Sequence, residues 1–210
     1  AGAKVQAGEP IFYDKSNESV QFVSPVSGEI VEIVRGEKRR ILEIKIQAEK
    51  TQTFLDHQKI EVESAKAEEI KAKLLASGCW PFIMQRPYDV IANPENTPKG
   101  IFVSAYASAP LAADYDFVLT GKQAELQAAV TALSKLTTGS IHVSVSKDSH
   151  SPFTNLEDVV THNVSGPHPS GNVGTLINKI DPINKGEVVW TVTPQDLVII
   201  GELLLTGKFN

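Results

Sequence analysis

The stretch Val159-Val160-Thr161-His162-Asn163-Val164-Ser165-Gly166-Pro167-His168-Pro169-Ser170-Gly171-Asn172-Val173-Gly174-Thr175 decides the fold class. Its first six residues read as a strand, and the short apolar run Val173 to Ile180 follows a loop of glycines and prolines. Strand, glycine loop and helix in that order is the layout that brings backbone N–H groups toward a phosphate. The spacing Gly166, Gly171, Gly174 is not G-x-G-x-x-G, and no Lys-Ser/Thr pair completes a P-loop. A structural turn is the competing reading, with Pro167 and Pro169 stiffening the chain and the glycines permitting positive φ.

Working outward, Glu187 to Val192 alternates as another strand. Thr193-Pro194-Gln195-Asp196 then starts a helix, with proline at the first helical position and an acid at the third, and that helix should run to Gly207. Its near-uniform apolarity predicts burial on most sides. Upstream, Ile101 to Tyr106 and Ile141 to Val145 read as strands. In the second of these Ile141, Val143 and Val145 face one way and His142 and Ser144 the other. Thr120-Gly121-Lys122-Gln123 reads as a capping box for a helix carrying Leu126, Val130, Leu133 and Leu136 and ending near Gly139. Ser64 reads as the N-cap of a helix with Glu68 and Glu69 early, Lys71 and Lys73 late, and Gly78 as its stop. Strands alternating with helices predict an α/β domain with a mainly parallel sheet over residues 53–210.

Residues 1–48 lack a helical period and read as a small β-module. Ile11 to Tyr13, Val20 to Val23, Glu29 to Val34 and Ile41 to Ile46 are its strands, followed by a polar linker at Ala48 to Gln52. In the last strand Ile41, Glu43 and Lys45 should be wet and Leu42, Ile44 and Ile46 buried.

Composition narrows the chemistry. The 210 residues carry a net charge of −5 with interspersed signs and 41% hydrophobic content, which gives no extended basic surface and argues against non-specific binding to nucleic acid or to an anionic bilayer. Arg35, Lys38, Arg39 and Arg40 form the nearest approach to a basic cluster and read as a solvated loop. Cys79 is the single cysteine; it excludes an internal disulfide, a four-thiolate zinc site and an iron–sulfur cluster ligated by this chain alone. It lies just past a helix C-terminus, where the helix dipole raises a thiol pKa, and reads as packing. No stretch approaches the roughly 20 apolar residues of a membrane span. The chain opens with Ala1-Gly2 rather than Met, which a fragment of a longer protein explains most simply. None of His57, His142, His150, His162 and His168 is paired at i, i+4, so no metal site is expected, although His142 and His162 could be neighbours across strands. There is no G-x-S-x-G elbow and no catalytic residue is assigned. Trp80-Pro81-Phe82 with Arg86-Pro87-Tyr88 forms an aromatic loop fit either to anchor to the core or to pack on a ring-shaped ligand or partner, with Trp80, Phe82 and Tyr88 as its candidates.

Two resemblances follow from these residues. Val5 to Ile11 and Phe22-Val23-Ser24-Pro25-Val26-Ser27-Gly28-Glu29-Ile30 resemble the biotinyl/lipoyl barrel-sandwich pattern, incomplete here. Lys15 is separated from Pro25 by a long Asn- and Ser-containing segment and is not read as a carrier lysine at a tight hairpin tip. Arg35-Gly36-Glu37-Lys38-Arg39, Arg86-Pro87-Tyr88, Ile101-Phe102-Val103, Pro110 to Asp114, Gly166-Pro167-His168-Pro169-Ser170-Gly171, Val189 to Val192 and Gln195-Asp196 together resemble the NqrA family, the A component of the sodium-translocating NADH:quinone reductase. The cysteine clusters of its relatives, the RnfC component of the Rnf complex and the NADH-binding flavoprotein of respiratory complex I, are missing.

The resemblance implies a peripheral subunit on the cytoplasmic face of the bacterial inner membrane, in a six-subunit complex that oxidises NADH, reduces quinone and exports sodium. It implies that flavins and an iron–sulfur cluster reside in other subunits and none in this chain, and that the partners are those subunits and quinone. It further implies that the α/β part over residues 53–210 is Rossmann-like, with residues preceding this chain and a β-grasp domain following it. Gly166, Pro167, His168, Pro169, Gly171 and Gly174 are the candidates for a quinone or partner loop. The alternatives are a biotinyl/lipoyl-type carrier and a nucleotide-binding enzyme component using the Gly166 to Gly174 loop.

Overall fold

The computed structural model describes residues 1–147 and 151–210. His150 and Ser149 lie outside the described residues.

The N-terminal module is built from β1 (Lys4–Val5), β2 (Pro10–Asp14), β3 (Asn17–Val23), β4 (Gly28–Arg35) and β5 (Ile41–Ala48). One sheet has the order β1-β4-β5, and β2 and β3 form a separate antiparallel hairpin. Leu42 is 58% exposed, and Ile44 and Ile46 are only half-buried. The expected buried face of β5 is therefore largely uncovered, because the main contacts of β4 and β5 are with each other and with β1. A second correction concerns Lys15. Asp14 pairs with Asn17, so Lys15 and Ser16 are the two-residue tip of the β2–β3 hairpin, closed by the Asp14 carboxylate accepting from Ser16 N and Oγ at 2.7 and 2.6 Å. The long segment that follows Lys15 in sequence is strand β3 itself.

The second layer system comprises α1 (Ala67–Ala76), β6 (Met84–Arg86), β7 (Val90–Ile91), β8 (Ile101–Ser104), α2 (Tyr115–Val118), α3 (Gln123–Ser134), β9 (Ile141–Ser146), β10 (Val159–Val164), α4 (Val173–Ile180), β11 (Val189–Thr191) and α5 (Pro194–Thr206). Its six-stranded sheet has the order β10-β9-β8-β11-β6-β7. The first four are mutually parallel and the β6–β7 edge is antiparallel. The mainly parallel α/β architecture is as expected from the alternation of strands and helices.

Alternation also explains the two sides of the sheet. Ile101, Val103, Ile141, Val143, Val145 and Trp190 point into the main core with Leu126, Val130 and Leu133 of α3 and Leu197, Ile200 and Leu204 of α5. Phe102 and Val189 point the other way, onto Ile177 of α4. Trp190 meets Trp80 edge-on with ring centroids 5.5 Å apart, and the Trp80 indole N–H donates to Ala92 O at 2.7 Å. Such a pair adds about 1 kcal/mol beyond the burial of each ring. Val20 and Phe22 of β3 reach this same core.

Local signals fared unevenly. Thr193 caps α5 as read: its hydroxyl accepts from Asp196 N at 3.2 Å and donates to Asp196 Oδ2 at 2.6 Å. Gly207 ends the helix at φ 74°, and Gly78 stops α1 at the same φ. Ser64 is not the α1 cap; its backbone N–H and its hydroxyl both bond to Glu61 O in a preceding turn, and α1 begins after Lys66 without a side-chain cap. Thr120 does not cap α3 either. An unforeseen helical turn, α2, capped by Asp114, takes the Thr120 hydroxyl, which donates to Asp116 O at 2.8 Å.

The α3–α5 crossing is close enough that a Cβ on Gly201 would sit 1.9 Å from Glu125 O. Gly201→Ala must therefore push the two helices apart. A loss of about 1–3 kcal/mol is expected, read as a lowered urea midpoint; an unchanged midpoint would contradict this packing.

Candidate functional site

Beginning at β8, the chain builds outward through β9 to β10, then returns to lay β11 on the other side of β8. The gap between the carboxyl ends of β8 and β11 is thus the point where strand order reverses, and in open α/β sheets ligands bind in that crevice. A cavity of about 630 Å³ lies there, walled by Ser104 and Tyr106 at and after the end of β8, Thr191 and Thr193 at and after the end of β11, Gly171 to Thr175 at the start of α4, Met84 and Arg86 of β6, and Phe82 just before it. That volume is ordinary for a small-molecule site.

The glycine loop is clamped to one wall. Ser104 Oγ donates to Gly171 O at 2.7 Å, Tyr106 Oη donates to Gly166 O at 2.8 Å, and Gly171 N donates to Ser108 Oγ at 2.9 Å. Ser108 Oγ also lies 3.3 Å from His168 Nδ1. A Cβ on Gly171 would fall 2.2 Å from Tyr106 O, so only glycine permits this approach. Gly174 has nothing within 4 Å of its Cβ position.

Polar chemistry in the cavity centres on Arg86. Its Nε is 3.3 Å from Asp89 Oδ1 yet makes no hydrogen bond, although that nitrogen is shielded from solvent. Aromatic surface comes from Phe82, Tyr106 and Tyr115, with Met84 beside them.

The candidates from sequence divide on this frame. Gly171, Gly174 and Phe82 line the cavity. Gly166, Pro167, His168 and Pro169 sit on the exposed outer side of the loop. Trp80 is fully buried in the core, and Tyr88 is 84% exposed away from the cavity wall. Ser104, Tyr106, Ser108, Tyr115 and Thr191 were not singled out from sequence. The signal for Ser104, Tyr106, Ser108 and Thr191 is their place at or just beyond the ends of β8 and β11, which carries meaning only once the strand order is known, and Tyr115 in α2 has no such signal.

Cys79 is completely buried, and burial pushes its thiol up to about 12, with the Asp196 charge adding to the rise and a hydrogen bond with Ser77 opposing it. Across β9 and β10, His142 Nδ1 and His162 Nε2 are 3.0 Å apart, with Phe102 stacked on His142 at 4.7 Å. Among the described residues no three His, Cys, Asp or Glu side chains gather as a metal-ligand set.

Comparison with known proteins covers the whole chain. A family model described as the NqrA N-terminal barrel-sandwich hybrid domain matches residues 1–49, and one described as the NqrA second alpha/beta domain matches residues 65–209. The A component of the Na(+)-translocating NADH-quinone reductase of Marinomonas sp. (strain MWYL1) is 34% identical over 211 aligned residues, covering 100% of this chain and 47% of that protein. The protein of the same name from Neisseria meningitidis serogroup A is 36% identical with the same coverage, and that of Histophilus somni (strain 2336) is 34% identical over 99% of this chain and 47% of its own length. The chain spans about half the length of the curated relatives it matches.

The histidine pair sets a pH dependence. Burial holds both imidazoles below the usual value of 6.5; for His142 the His162 charge adds to this and Asp181 opposes it. The unfolded chain takes up these protons first, so stability is retained above 6.5 and falls as pH drops through 6.5 toward the lower folded values. Urea midpoints measured from about pH 8 to about pH 5.5 should decline, and His142→Gln combined with His162→Gln should flatten the decline. Parallel curves for the two proteins would refute the assignment.

Proposed function

Because the chain belongs to the NqrA family, we propose that it works as the NqrA component of a sodium-translocating NADH:quinone reductase, docking to the membrane subunits and contributing to quinone binding. The observation that carries the reading is the match of both family domains, in order, along the chain. In this reading residues 1–48 are a barrel-sandwich module and residues 53–210 a Rossmann-like domain, lying peripherally on the cytoplasmic face of the membrane. Among the described residues no helix is long and apolar enough to cross a bilayer. Flavins and an iron–sulfur cluster belong to the other subunits; a single cysteine cannot ligate a cluster alone.

Quinone chemistry suits the cavity at the β8–β11 gap. A quinone head is planar, apolar on its faces and accepts hydrogen bonds at its two carbonyl oxygens. Phe82, Tyr106, Tyr115 and Met84 supply surface for the faces. Ser104 and Tyr106 already donate to the glycine loop, and the exposed part of the Arg86 guanidinium is the cationic donor on the cavity wall for a carbonyl oxygen. The chain then positions quinone relative to electron carriers held elsewhere.

The purified chain should be colourless and should not oxidise NADH, and a short-chain quinone should bind it in calorimetry. Gly171→Ala, which displaces Tyr106, should weaken binding at least about tenfold, the effect of about 1.4 kcal/mol. Gly174→Ala should leave it nearly unchanged. Tightly bound flavin, or no measurable quinone binding, would overturn the reading.

One observation favours a second reading, a lipoyl- or biotin-bearing carrier: Lys15 is exposed at a two-residue hairpin tip. Expression with lipoyl and biotin ligases followed by intact-mass measurement separates the two. The unmodified mass is the outcome expected here.

A further inference from the structure

The β4–β5 hairpin is joined by β1 only at its base, where Val5 pairs with Gly28 and Lys4 with Glu29. Its strands have eight residues each, so its far end stands roughly 25 Å along the strand direction from that base, at about 3.3 Å per residue. At this end Arg35, Lys38, Arg39 and Arg40 are all exposed, and none pairs with a carboxylate among the described residues. Four cations stand against one anion, Glu37, so this end is locally basic although the net charge of −5 argues against an anionic bilayer as a partner of the chain as a whole. Further along the hairpin Lys45 pairs with Glu32 at 2.7 Å and with Glu43 at 3.8 Å, which partly neutralises the nearest acids.

The turn backbone does not by itself call for basic residues. Lys38 and Arg39 occupy the left-handed region at φ 54° and 62°, where glycine or asparagine is accommodated at lower cost. Directly beside them two aliphatic side chains face solvent: Ile41, 42% exposed and paired with Arg35, and Leu42, 58% exposed and lying against Gly36.

We propose that this hairpin end contacts the surface of a bilayer containing anionic phospholipids, the four cations meeting headgroup phosphates while Ile41 and Leu42 enter the acyl boundary. Long basic side chains flanking exposed aliphatics match a layered surface, charged outside and apolar beneath. An acidic protein face or a nucleic acid would satisfy the cations and leave Ile41 and Leu42 wet. The proposal is independent of the quinone reading, because it needs neither the cavity nor the other subunits.

Vesicle sedimentation of the chain tests it. Binding should be strong to phosphatidylcholine vesicles enriched in phosphatidylglycerol and weak to phosphatidylcholine alone, and it should fall as salt shortens the screening length from about 10 Å to about 3 Å. Lys38→Asn with Arg39→Asn, chosen because asparagine tolerates the turn, should lower partitioning about 25-fold, at about fivefold per charge. Leu42→Ser should weaken it with the charges intact. Circular dichroism and melting curves confirm that each variant is folded. Equal sedimentation with both vesicle types, or unchanged binding by the Asn pair, overturns the proposal. So does a result in which vesicles never bind but the Asn pair loses association with the other reductase subunits, since the basic end would then belong to a protein surface.

Discussion

Right-handed crossovers sent to opposite edges of one sheet put helices on opposite faces, and everything around the cavity follows from that constraint. The chain leaves β8 by way of α3 toward β9, and comes back from β10 by way of α4 to reach β11. Because β9 and β8 lie between β10 and β11, the segment after β10 must pass over strand ends before α4 can begin. It does so along residues 165–172, where the Gly171 backbone touches the Tyr106 carbonyl. A side chain at that position would lift the loop from the strand and disturb the wall formed by Ser104 to Ser108. The cavity is thus a consequence of strand order, held in shape by three hydrogen bonds and one missing Cβ.

The same constraint explains what could be read from the sequence. Apart from the turn α2, strand and helix identity over residues 101–206 was legible because a two-residue period and a helical period are both written directly in side-chain polarity. Ile141, Val143 and Val145 against His142 and Ser144 is the clearest instance, and the structure puts the two sets on opposite faces. Strand order is written nowhere in such a pattern, so Ser104, Tyr106 and Thr191 carried no mark until the sheet was assembled. Gly171 and Gly174 were visible as glycines, yet only geometry separates the indispensable one from the permissive one. The caps failed for a local reason. Ser64 and Thr120 each had a nearer carbonyl, Glu61 and Asp116, and a hydroxyl that closes a preceding turn is not available to a helix start.

In the N-terminal module the alternation rule gave the strands and missed the burial. A two-residue period shows that one side differs from the other, but it does not show that anything packs on the apolar side. The β2–β3 hairpin has a partner, since Val20 and Phe22 join the main core. The β4–β5 hairpin has chiefly itself, so Leu42 remains exposed. Besides Val20 and Phe22, polar contacts hold the connecting segment: the Gln52 amide accepts from Ser27 N at 2.7 Å, Ser27 Oγ accepts from Thr53 N at 2.9 Å, and Lys135 Nζ reaches the carbonyls of Val62, Glu63 and Ala65. The connecting segment is therefore held at both ends by specific donors, although its composition reads as a plain linker.

Arg86 brings the electrostatics and the topology together. It ends the antiparallel strand β6, which pairs with β11, so its guanidinium is delivered to the side of the gap opposite the glycine loop. A cationic donor shielded from water without a hydrogen-bond acceptor is unfavourable, because the hydration it loses on folding is not replaced. Asp89 compensates the charge at 3.3 Å but leaves Nε without an aligned acceptor. A ligand oxygen in the cavity would meet the exposed part of the guanidinium rather than the shielded Nε. On the reading proposed here the oxygen is a quinone carbonyl, neutral in the oxidised form and anionic on one-electron reduction. The guanidinium favours that anion only by the charge that Asp89, 3.3 Å away, leaves uncompensated, and to that extent a residue that carries no electrons itself can bias their transfer.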